Sequence, residues 1–422
     1  MKNRAQGVVV VSAGVVLNMK TKIPELIFSA NRRRGRLLRK YLLLPVCATF
    51  VGLLLGECLL RLAGISFPEL YAPDPHCASR LRAGASGWWI SEGRSFVRIS
   101  SDGLRDREHD VTKRANVVRI AVLGDSFTEA LQVDARDAYW AVAERELQRR
   151  EKVDGRDFEF VNFGVSGYGT AQELLMLRSY VWKYEPDIVI VAFCQNDIKD
   201  NSKELGGGET RPYFVLQAEE LHLDSSFLES DSYLTALTSY EQAKAWTVNR
   251  SYMLQVLKRA KMSWRLWRER TGDLDRGFED MSSDFNIYAA PRTTAGTNAW
   301  RVTERMMIEL RADVVKRNAK FGLMTVTTPL QVHPDSTVRN TATDNELTRN
   351  LLYAEHRLAD LAERQGFPIL TLATPFLEHA ESGGVFLHGF PNTEPGTGHW
   401  NENGHRLAGQ HLADWLENEL LK

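Results

Sequence analysis

The strongest constraint in this sequence is a buried-strand pattern that runs directly into a sharp turn. Residues 120–123 are four consecutive apolar residues, and Gly124, Asp125 and Ser126 follow them at once. This pattern predicts a parallel strand that is buried on both faces. Open α/β sheets bind their ligands at the carboxyl ends of such strands. Ser126 therefore has two interpretations at this point: a nucleophile, if a base reaches it, or a residue that caps the next helix.

Short apolar segments alternate with helical segments over most of the chain after residue 116. The predicted strands are residues 117–123, 158–163, 188–193, 323–327 and 368–372. The predicted helices are residues 137–150, 171–184, 300–319, 345–365 and 402–421. This alternation predicts the α/β class, as a three-layer sandwich with a central parallel sheet and helices on both faces.

Residues 200–298 interrupt the alternation and are predicted to form an inserted, mostly helical subdomain. Residues 213–216 (Tyr-Phe-Val-Leu) and 220–223 (Glu-Leu-His-Leu) together predict a hairpin. Between residues 239 and 270, leucine, methionine and tryptophan alternate with lysine and arginine. This pattern fits three structures: a helix packed on the core, a lid over the site, or a helix on a membrane surface.

The amino-terminal region has the pattern of a membrane anchor. Residues 31–40 include six basic residues, and residues 41–60 are apolar apart from Tyr41, Thr49 and Glu57. Twenty helical residues span the roughly 30 Å hydrocarbon core. Because basic residues before a span stay cytoplasmic, we predict a cytoplasmic segment at 1–40 and a single-pass inner-membrane anchor at 41–62. Residues 63–115 would be an extracytoplasmic linker and lead-in to a domain at 116–422.

Other interpretations of the apolar segment stay open. It could be a cleaved signal peptide or a buried helix of a soluble protein, although no Ala-x-Ala cleavage site is evident. A lipoprotein signal would use Cys58, but Glu57 before it departs from that pattern. The sequence does not decide whether translation starts at Met1 or Met19.

Composition excludes several classes of partner and cofactor. The net charge of −1 gives no indication of nucleic-acid binding. Four cysteines are too few and too scattered for a disulfide framework or a zinc site. Cys77 and Cys194 are the candidates for a bond outside the apolar segment, and spacing does not decide whether they pair. No metal-ligand spacing and no glycine-rich nucleotide loop are evident, so no cofactor is expected.

Four sequence blocks together resemble the SGNH hydrolases, also called GDSL-type esterases. The blocks are residues 124–127, 162–170, 194–197 and 399–405. Each of the first three follows a predicted strand, and the fourth opens the last predicted helix. Residues 101–105 also resemble the lead-in of membrane-anchored members. The resemblance covers roughly residues 96–200 and 320–420, and it implies a flavodoxin-like sheet.

The resemblance also implies roles for individual residues. Ser126 would be the nucleophile and His399 the general base. The oxyanion hole would comprise the backbone N–H groups of Ser126 and Gly167 and the side-chain amide of Asn196. His405 is a rival base, but it falls in the first turn of the predicted helix, whereas His399 precedes that helix in a loop.

The sequence departs from the family at the expected partner of His399. The family places an aspartate three, or in some members two, residues before this histidine, and the present chain has Gly396 and Thr397 there. Three possibilities follow. Glu394 could turn toward the ring, Thr397 or a backbone carbonyl could orient it in a Ser-His dyad, or activity could be weak or absent.

These features lead to a functional hypothesis and two alternatives. The hypothesis is a membrane-anchored serine esterase that hydrolyses small carboxylic esters, such as acetyl groups on a glycan, through an acyl-enzyme. The first alternative is an O-acetyltransferase that passes the acyl group to an extracytoplasmic polysaccharide. The second is a catalytically silent glycan-binding or scaffold protein, which the missing aspartate favours. Nothing in the sequence indicates an oligomeric state.

Overall fold

The computed structural model describes residues 39–150, 155–206, 208–270, 287–343 and 350–422. Most of the predicted cytoplasmic segment 1–40 and the first residues of the predicted helix 345–365 lie outside these ranges. Backbone packing divides the chain into a unit that ends at Leu59 and a unit from Leu60 to Lys422.

The first unit contains most of an apolar helix, α1 (Leu44–Leu62), which follows a π-helical turn at Arg39–Leu43. Its 19 residues span about 28 Å at 1.5 Å per residue. None of them is buried. Among the described residues, α1 is the one helix that is long and apolar enough to cross a membrane.

The second unit is built on a five-stranded parallel sheet. The strands of the chain are β1 (Tyr71–Asp74), β2 (Ala78–Leu81), β3 (Ser86–Trp89), β4 (Ser95–Arg98), β5 (Val117–Gly124), β6 (Asp157–Asn162), β7 (Ile188–Phe193), β8 (Tyr213–Gln217), β9 (Glu220–Asp224), β10 (Lys320–Thr325) and β11 (Ile369–Thr371). The sheet has the order β6-β5-β7-β10-β11, with every neighbouring pair parallel. The chain adds β6 on one side of β5 and then β7 on the other side. In doubly wound sheets a ligand crevice opens at such a reversal of strand order, here between β5 and β7.

Helices cover both faces of this sheet. Those of the second unit are α2 (Ser126–Glu129), α3 (Tyr139–Arg149), α4 (Thr170–Ser179), α5 (Asp197–Asp200), α6 (Asp231–Leu237), α7 (Ser239–Arg250), α8 (Tyr252–Arg270), α9 (Thr294–Lys316), α10 (Ser336–Thr343), α11 (Tyr353–Gln365), α12 (Ala373–Gly383) and α13 (Glu402–Trp415). Shorter 3₁₀ or π turns lie at Ala135–Asp137, Val181–Tyr184, Ser226–Glu229 and Leu416–Leu420.

Alternate residues of β5 face two separate hydrophobic cores. Ala121 and Leu123 join the core that contains residues of α4, α9 and α11. Ile120 and Val122 join the core that contains residues of α3, α12 and α13. This period of two is that of a strand covered on both faces. The predicted three-layer α/β sandwich is therefore confirmed.

Two examples show how predicted helix boundaries differ from those in the structure. The helix predicted at 300–319 begins earlier, at Thr294, because the Thr293 side chain caps it by accepting from the Gly296 N–H at 3.0 Å. The helix predicted at 171–184 ends as an α-helix at Ser179 and is followed by a 3₁₀ turn.

Residues 63–115 are folded rather than a linker. They form two antiparallel hairpins, β1–β2 and β3–β4. Leu81, Val97 and Ile99 are buried in the same core as α4 and α9. The strands have four residues each, so their alternation was too short to distinguish them from irregular chain.

The insertion contains the predicted hairpin, β8–β9, followed by three helices. The amphipathic stretch at 239–270 is broken at Ser251, which has extended backbone angles between α7 and α8. Two large apolar side chains of α8 are not packed on the core. Leu257 is 59% exposed and Trp264 is 58% exposed.

Candidate active site

Ser126 begins helix α2 directly after β5. Asp125 is the N-cap of this helix, because its Oδ1 accepts from the Phe127 N–H at 3.0 Å. The capping role that the sequence left open for Ser126 thus belongs to its neighbour. The turn requires Gly124, since a Cβ at this position would lie 2.1 Å from Thr128 Oγ1.

His399 lies beside Ser126 although 273 residues separate them in the chain. It occupies the loop before α13, and its Nε2 is 2.7 Å from Ser126 Oγ. Asn401 caps α13 through its side chain, which fixes where this loop ends. A neutral imidazole accepts a proton at Nε2 only when Nδ1 carries the other proton. The geometry therefore calls for an acceptor at Nδ1.

That acceptor is Glu92, which the sequence did not put forward. Glu92 Oε2 is 2.5 Å from His399 Nδ1, and Glu92 Oε1 accepts from the His399 backbone N–H at 2.7 Å. The two residues predicted to orient the ring do not do so. The Thr397 hydroxyl instead donates to the Glu394 carbonyl at 2.7 Å. The acid reaches His399 from the β3–β4 hairpin, a different part of the chain.

Two features let the Glu92 carboxylate approach the histidine loop. Gly398 has φ +67°, and a Cβ there would lie 2.1 Å from Glu92 Oε1. Asn392 fastens the hairpin by accepting from the Gly93 N–H at 2.9 Å and donating to the Gly93 carbonyl at 3.0 Å. Gly398, directly before His399, indicates that another group approaches the backbone at this position, but the sequence does not show which group it is.

Glu92 changes the proton affinity of His399. Burial disfavours the protonated ring, but the hydrogen bond and negative charge of Glu92 outweigh it. The pKa of His399 therefore lies above its usual value of 6.5. Burial likewise opposes the charged form of Glu92, yet the bonds from His399 hold the pKa of that carboxyl below its usual 4.5.

Two further histidines near this region have structural roles. His405 is buried in α13, where its Nδ1 accepts from the Tyr139 N–H at 3.3 Å, and burial lowers its pKa to about 3. His388 donates from Nδ1 to the Gly398 carbonyl at 2.7 Å, and its Nε2 contacts Thr327 Oγ1 at 3.1 Å. Burial lowers the pKa of His388 to about 4. The geometry thus brings His399, and not His405, to Ser126.

The three predicted oxyanion donors follow β5, β6 and β7. The N–H of Ser126 is the first of a helix and has no intrahelical acceptor. Gly167 has φ +77°, and a Cβ there would meet open space within 4 Å. Asn196 is exposed, and one N–H of its amide donates to Asp200 Oδ2 at 3.1 Å. The second N–H of that amide is available to a substrate oxygen.

Glu129 joins the nucleophile helix to the Gly167 loop. This buried residue accepts from the Ser166 N–H at 2.6 Å and from the Tyr71 hydroxyl at 3.0 Å. Burial raises its pKa, while the bonds from Ser166 and Tyr71 and the charge of Arg105 act in the opposite direction. Glu129 therefore fixes the residue that immediately precedes Gly167.

We expect Glu129→Gln to lower the free energy of unfolding by about 1–3 kcal/mol, because a buried, charge-assisted set of bonds is weakened. We also expect kcat for a test ester to fall about tenfold with little change in KM, since the Gly167 loop loosens. Urea denaturation and steady-state kinetics measure the two effects. Tyr71→Phe removes one donor and should have the smaller effect; equal stability and kcat in Glu129→Gln and wild type would contradict this role.

Burial raises the pKa values of three carboxyl groups in and near the nucleophile turn. Asp125, Glu173 and Asp197 are buried, and burial raises the pKa of each. Repulsion among the three groups raises the pKa values of Glu173 and Asp197 further. Raised pKa values favour protonated carboxyls, which repel a developing oxyanion less than carboxylates do.

The two cysteines that the sequence left as a possible pair are free thiols. Cys77 and Cys194 are both buried. Burial raises the pKa of Cys77 to about 12 and holds that of Cys194 well above its usual value. Since the thiolate is the reactive form, neither cysteine competes with Ser126 as a nucleophile.

Comparison with known proteins identifies the family of this chain. Residues 122–407 match the sequence model of the GDSL-like lipase/acylhydrolase family. The matched range is more than half of the chain and includes Ser126, Gly167, Asn196 and His399. Glu92 lies outside it. No curated protein sequence matches the chain.

The chain is also similar to solved structures, among them TesA, AlAXEase and Axe2. TesA is 12% identical, with 71% of this chain and 98% of TesA covered at a TM-score of 0.35. The acetyl xylan esterase AlAXEase is 12% identical, with 70% and 98% covered at 0.36. A catalytic mutant of Axe2, an acetylxylan esterase from Geobacillus stearothermophilus, is 12% identical, with 71% and 93% covered at 0.36.

Proposed function

Because the chain belongs to the GDSL-like lipase/acylhydrolase family of ester-bond hydrolases, we propose that it is a serine esterase whose acyl-enzyme forms on Ser126. One observation carries this proposal: an unbroken hydrogen-bonded series from Ser126 Oγ through His399 to Glu92. Such a series can remove the serine proton and stabilise the imidazolium that results.

The acylation step uses each member of this series. His399 Nε2 takes the hydroxyl proton as Ser126 Oγ attacks the ester carbonyl, and Glu92 stabilises the positive ring through Nδ1–H. The N–H groups of Ser126 and Gly167 and the Asn196 amide donate to the oxyanion. The bond to the alcohol then breaks, and His399 donates its proton to the leaving oxygen.

Deacylation repeats these steps with water as the nucleophile. His399 removes a proton from water, whose oxygen attacks the acyl carbonyl. The second oxyanion collapses, the bond to Ser126 Oγ breaks, and the proton returns to that oxygen. The products are a carboxylic acid and free enzyme. If a sugar hydroxyl attacked instead of water, the same site would act as a transferase.

We expect Asn196→Ala to lower kcat about 10²-fold, the effect of losing one oxyanion donor. The measurement is steady-state hydrolysis of p-nitrophenyl acetate. Asp200→Ala is the matched control, because it removes the acceptor of the Asn196 amide and leaves the donor in place. A wild-type kcat in Asn196→Ala would show that Asn196 is not a donor of the oxyanion hole.

The proposed substrate is a small acyl ester, with acetyl esters of extracytoplasmic glycans as the first class to test. Two sequence features support the location: the apolar length of α1 and the six basic residues at 31–40 before it. With this orientation, the unit that begins at Leu60 lies outside the inner membrane. The silent-scaffold alternative rests on a missing acid, whereas the contact of Glu92 Oε2 with His399 Nδ1 at 2.5 Å supports the esterase proposal.

The test is turnover and trapping with the purified full-length protein. We expect hydrolysis of p-nitrophenyl acetate and, after a rapid acid quench, a mass increase of one acetyl group on the peptide that contains Ser126. Rates that fall from acetate to longer acyl chains would support the small-acyl class. Hydrolysis no faster than buffer for acetate and longer esters would refute the esterase proposal. Faster p-nitrophenol release with an added glycan, together with acetylated glycan, would identify the transferase instead.

A further inference from the structure

Helix α8 leaves large apolar side chains uncovered although it belongs to the folded unit that begins at Leu60. Leu257, Met262 and Trp264 are each more than half exposed. Soluble monomeric proteins rarely expose groups of large apolar side chains that they do not use for binding. This face of α8 therefore calls for a partner.

The same face also carries basic residues. At 3.6 residues per turn, the exposed large apolar and basic side chains that the structure describes in α8 fall within about 160° of the helix circumference. They are Leu254, Leu257, Lys258, Lys261, Met262, Trp264, Arg265 and Arg268, and the small exposed residues Ala260 and Ser263 lie outside this arc. Residues 252–268 contain no acidic residue. A face of leucine and tryptophan interspersed with lysine and arginine is typical of helices that lie in the headgroup region of a membrane.

Contacts at the end of α1 indicate which membrane would meet this face of α8. Arg61 is in the last turn of α1, and its guanidinium donates to the Arg250 carbonyl at the end of α7. The same guanidinium lies 4.7 Å from the centre of the Tyr252 ring, at the start of α8. The end of the apolar helix is therefore fixed to the α7–α8 junction.

The residues after α1 strengthen this attachment. The Phe67 N–H donates to Gln255 Oε1 at 2.7 Å, and Gln255 is buried. Glu69 pairs with Lys258. These contacts bind the chain next to α1 to the first two turns of α8.

One flank of α8 is held by the body of the protein. Arg259 Nη1 donates to Ser91 Oγ at 2.9 Å, and Ser91 adjoins Glu92 on the β3–β4 hairpin. Contacts at Gln255, Lys258 and Arg259 thus fix the rotation of α8 about its axis. The apolar and basic face is left on the outside of the unit, close to the end of α1.

We propose that this outer face of α8 binds the surface of an anionic phospholipid membrane, the same membrane that α1 crosses. The inference rests on the proposed membrane anchoring and is independent of the esterase chemistry. The apolar side chains would enter the headgroup region, and Lys261 and Arg265 would attract the lipid phosphates.

The test uses the full-length protein in vesicles of phosphatidylcholine and phosphatidylglycerol. A fluorophore is attached at Leu257→Cys, at Leu53→Cys within α1, or at Val111→Cys, in a Cys47→Ala/Cys58→Ala background. Val111 is a matched exposed apolar residue, and its carbonyl bonds to Arg119 at the amino-terminal end of β5, away from the Glu92 side of the sheet. Quenching is measured at each position with lipids that carry a spin label near the headgroup and, separately, with lipids that carry it near the end of the acyl chain, which reports on position 53 at the middle of α1.

We expect quenching at position 257 to exceed that at position 111 by about threefold or more, as for a residue in the headgroup region. Adding Lys261→Glu and Arg265→Glu should lower the signal at position 257 in anionic vesicles, with less effect in pure phosphatidylcholine. Strong quenching at 53 by the acyl-chain label, with equal, weak quenching at 257 and 111 by the headgroup label, would overturn the membrane-surface proposal and leave the anchor intact. No quenching at 53 by either label would overturn both.

A second copy of the chain is the other occupant that this experiment detects. In that case the fluorescence at position 257 would change with the ratio of protein to lipid and would not respond to the spin-labelled lipid, which would overturn the proposal. Hydrolysis of p-nitrophenyl acetate by the same labelled proteins tests the esterase separately. An error in the membrane-surface proposal and an error in the esterase proposal therefore give different experimental results.

Discussion

Replacing Ser126 by alanine is expected to lower kcat/KM for p-nitrophenyl acetate by on the order of 10⁴-fold or more, because the covalent route disappears. His399→Ala should cause a loss of similar size, since the hydroxyl without a base is a poor nucleophile. Residues that act as one unit are not additive. The double variant should therefore be little slower than either single variant, and steady-state rates measure all three.

Controls separate this loss from misfolding. Ser382→Ala changes an exposed serine at the end of α12, and it should retain the wild-type rate. The thermal unfolding midpoint of Ser126→Ala should stay close to that of wild type, because the Asp125 cap and Gly124 are unchanged. Wild-type turnover in Ser126→Ala would show that the hydrolysis occurs elsewhere, and losses that multiply in the double variant would contradict a shared step.

Much of the fold could be predicted from the sequence because its signals are local. Four apolar residues at 120–123 specify a strand buried on both faces, and the structure covers both faces of β5. The positions of Ser126 and Asn196 follow from strands that end immediately before them. His399 was distinguished from His405 by its place before a helix rather than within it.

Other features depend on contacts between distant segments and have no local signal. Glu92 acts on a residue 307 positions away, and nothing about Ser91-Glu92-Gly93 as a sequence marks it as a partner of a histidine. The sequence therefore indicates only residues close to His399 in the chain, Glu394 and Thr397, as side chains that could orient its ring. Strands of four residues at 71–98 were likewise too short to show their period, so a folded hairpin pair was interpreted as a linker.

The difference between the predicted and observed acid can be tested directly. We expect Glu92→Gln to lower kcat/KM by ~10²–10⁴-fold, and Glu394→Gln to stay within about twofold of wild type, as a change at an exposed side chain does. Both variants change one carboxylate to an amide of the same shape. A large loss in Glu394→Gln with none in Glu92→Gln would reverse the assignment.

The size of the Glu92 effect follows from its two hydrogen bonds. Both carboxylate oxygens accept, one from the His399 backbone N–H and one from the ring Nδ1–H. An amide has one acceptor oxygen, so its NH₂ group must face one of these two donors. If NH₂ faces the ring, Nδ1 becomes the acceptor and Nε2 carries the proton. His399 then cannot take the proton of Ser126.

The pH dependence of kcat/KM gives a second test of Glu92. A purely structural role of Glu92 would leave the midpoint of this pH profile unchanged. The neutral form of His399 is the active base, so kcat/KM should rise with pH through the His399 pKa, which Glu92 keeps above its usual 6.5. Without the negative charge of Glu92, that rise should move to lower pH. The ratio of wild-type to Glu92→Gln activity should therefore shrink as the pH falls below the wild-type midpoint. A midpoint that does not move would show that Glu92 holds the loop without acting on the proton affinity of His399.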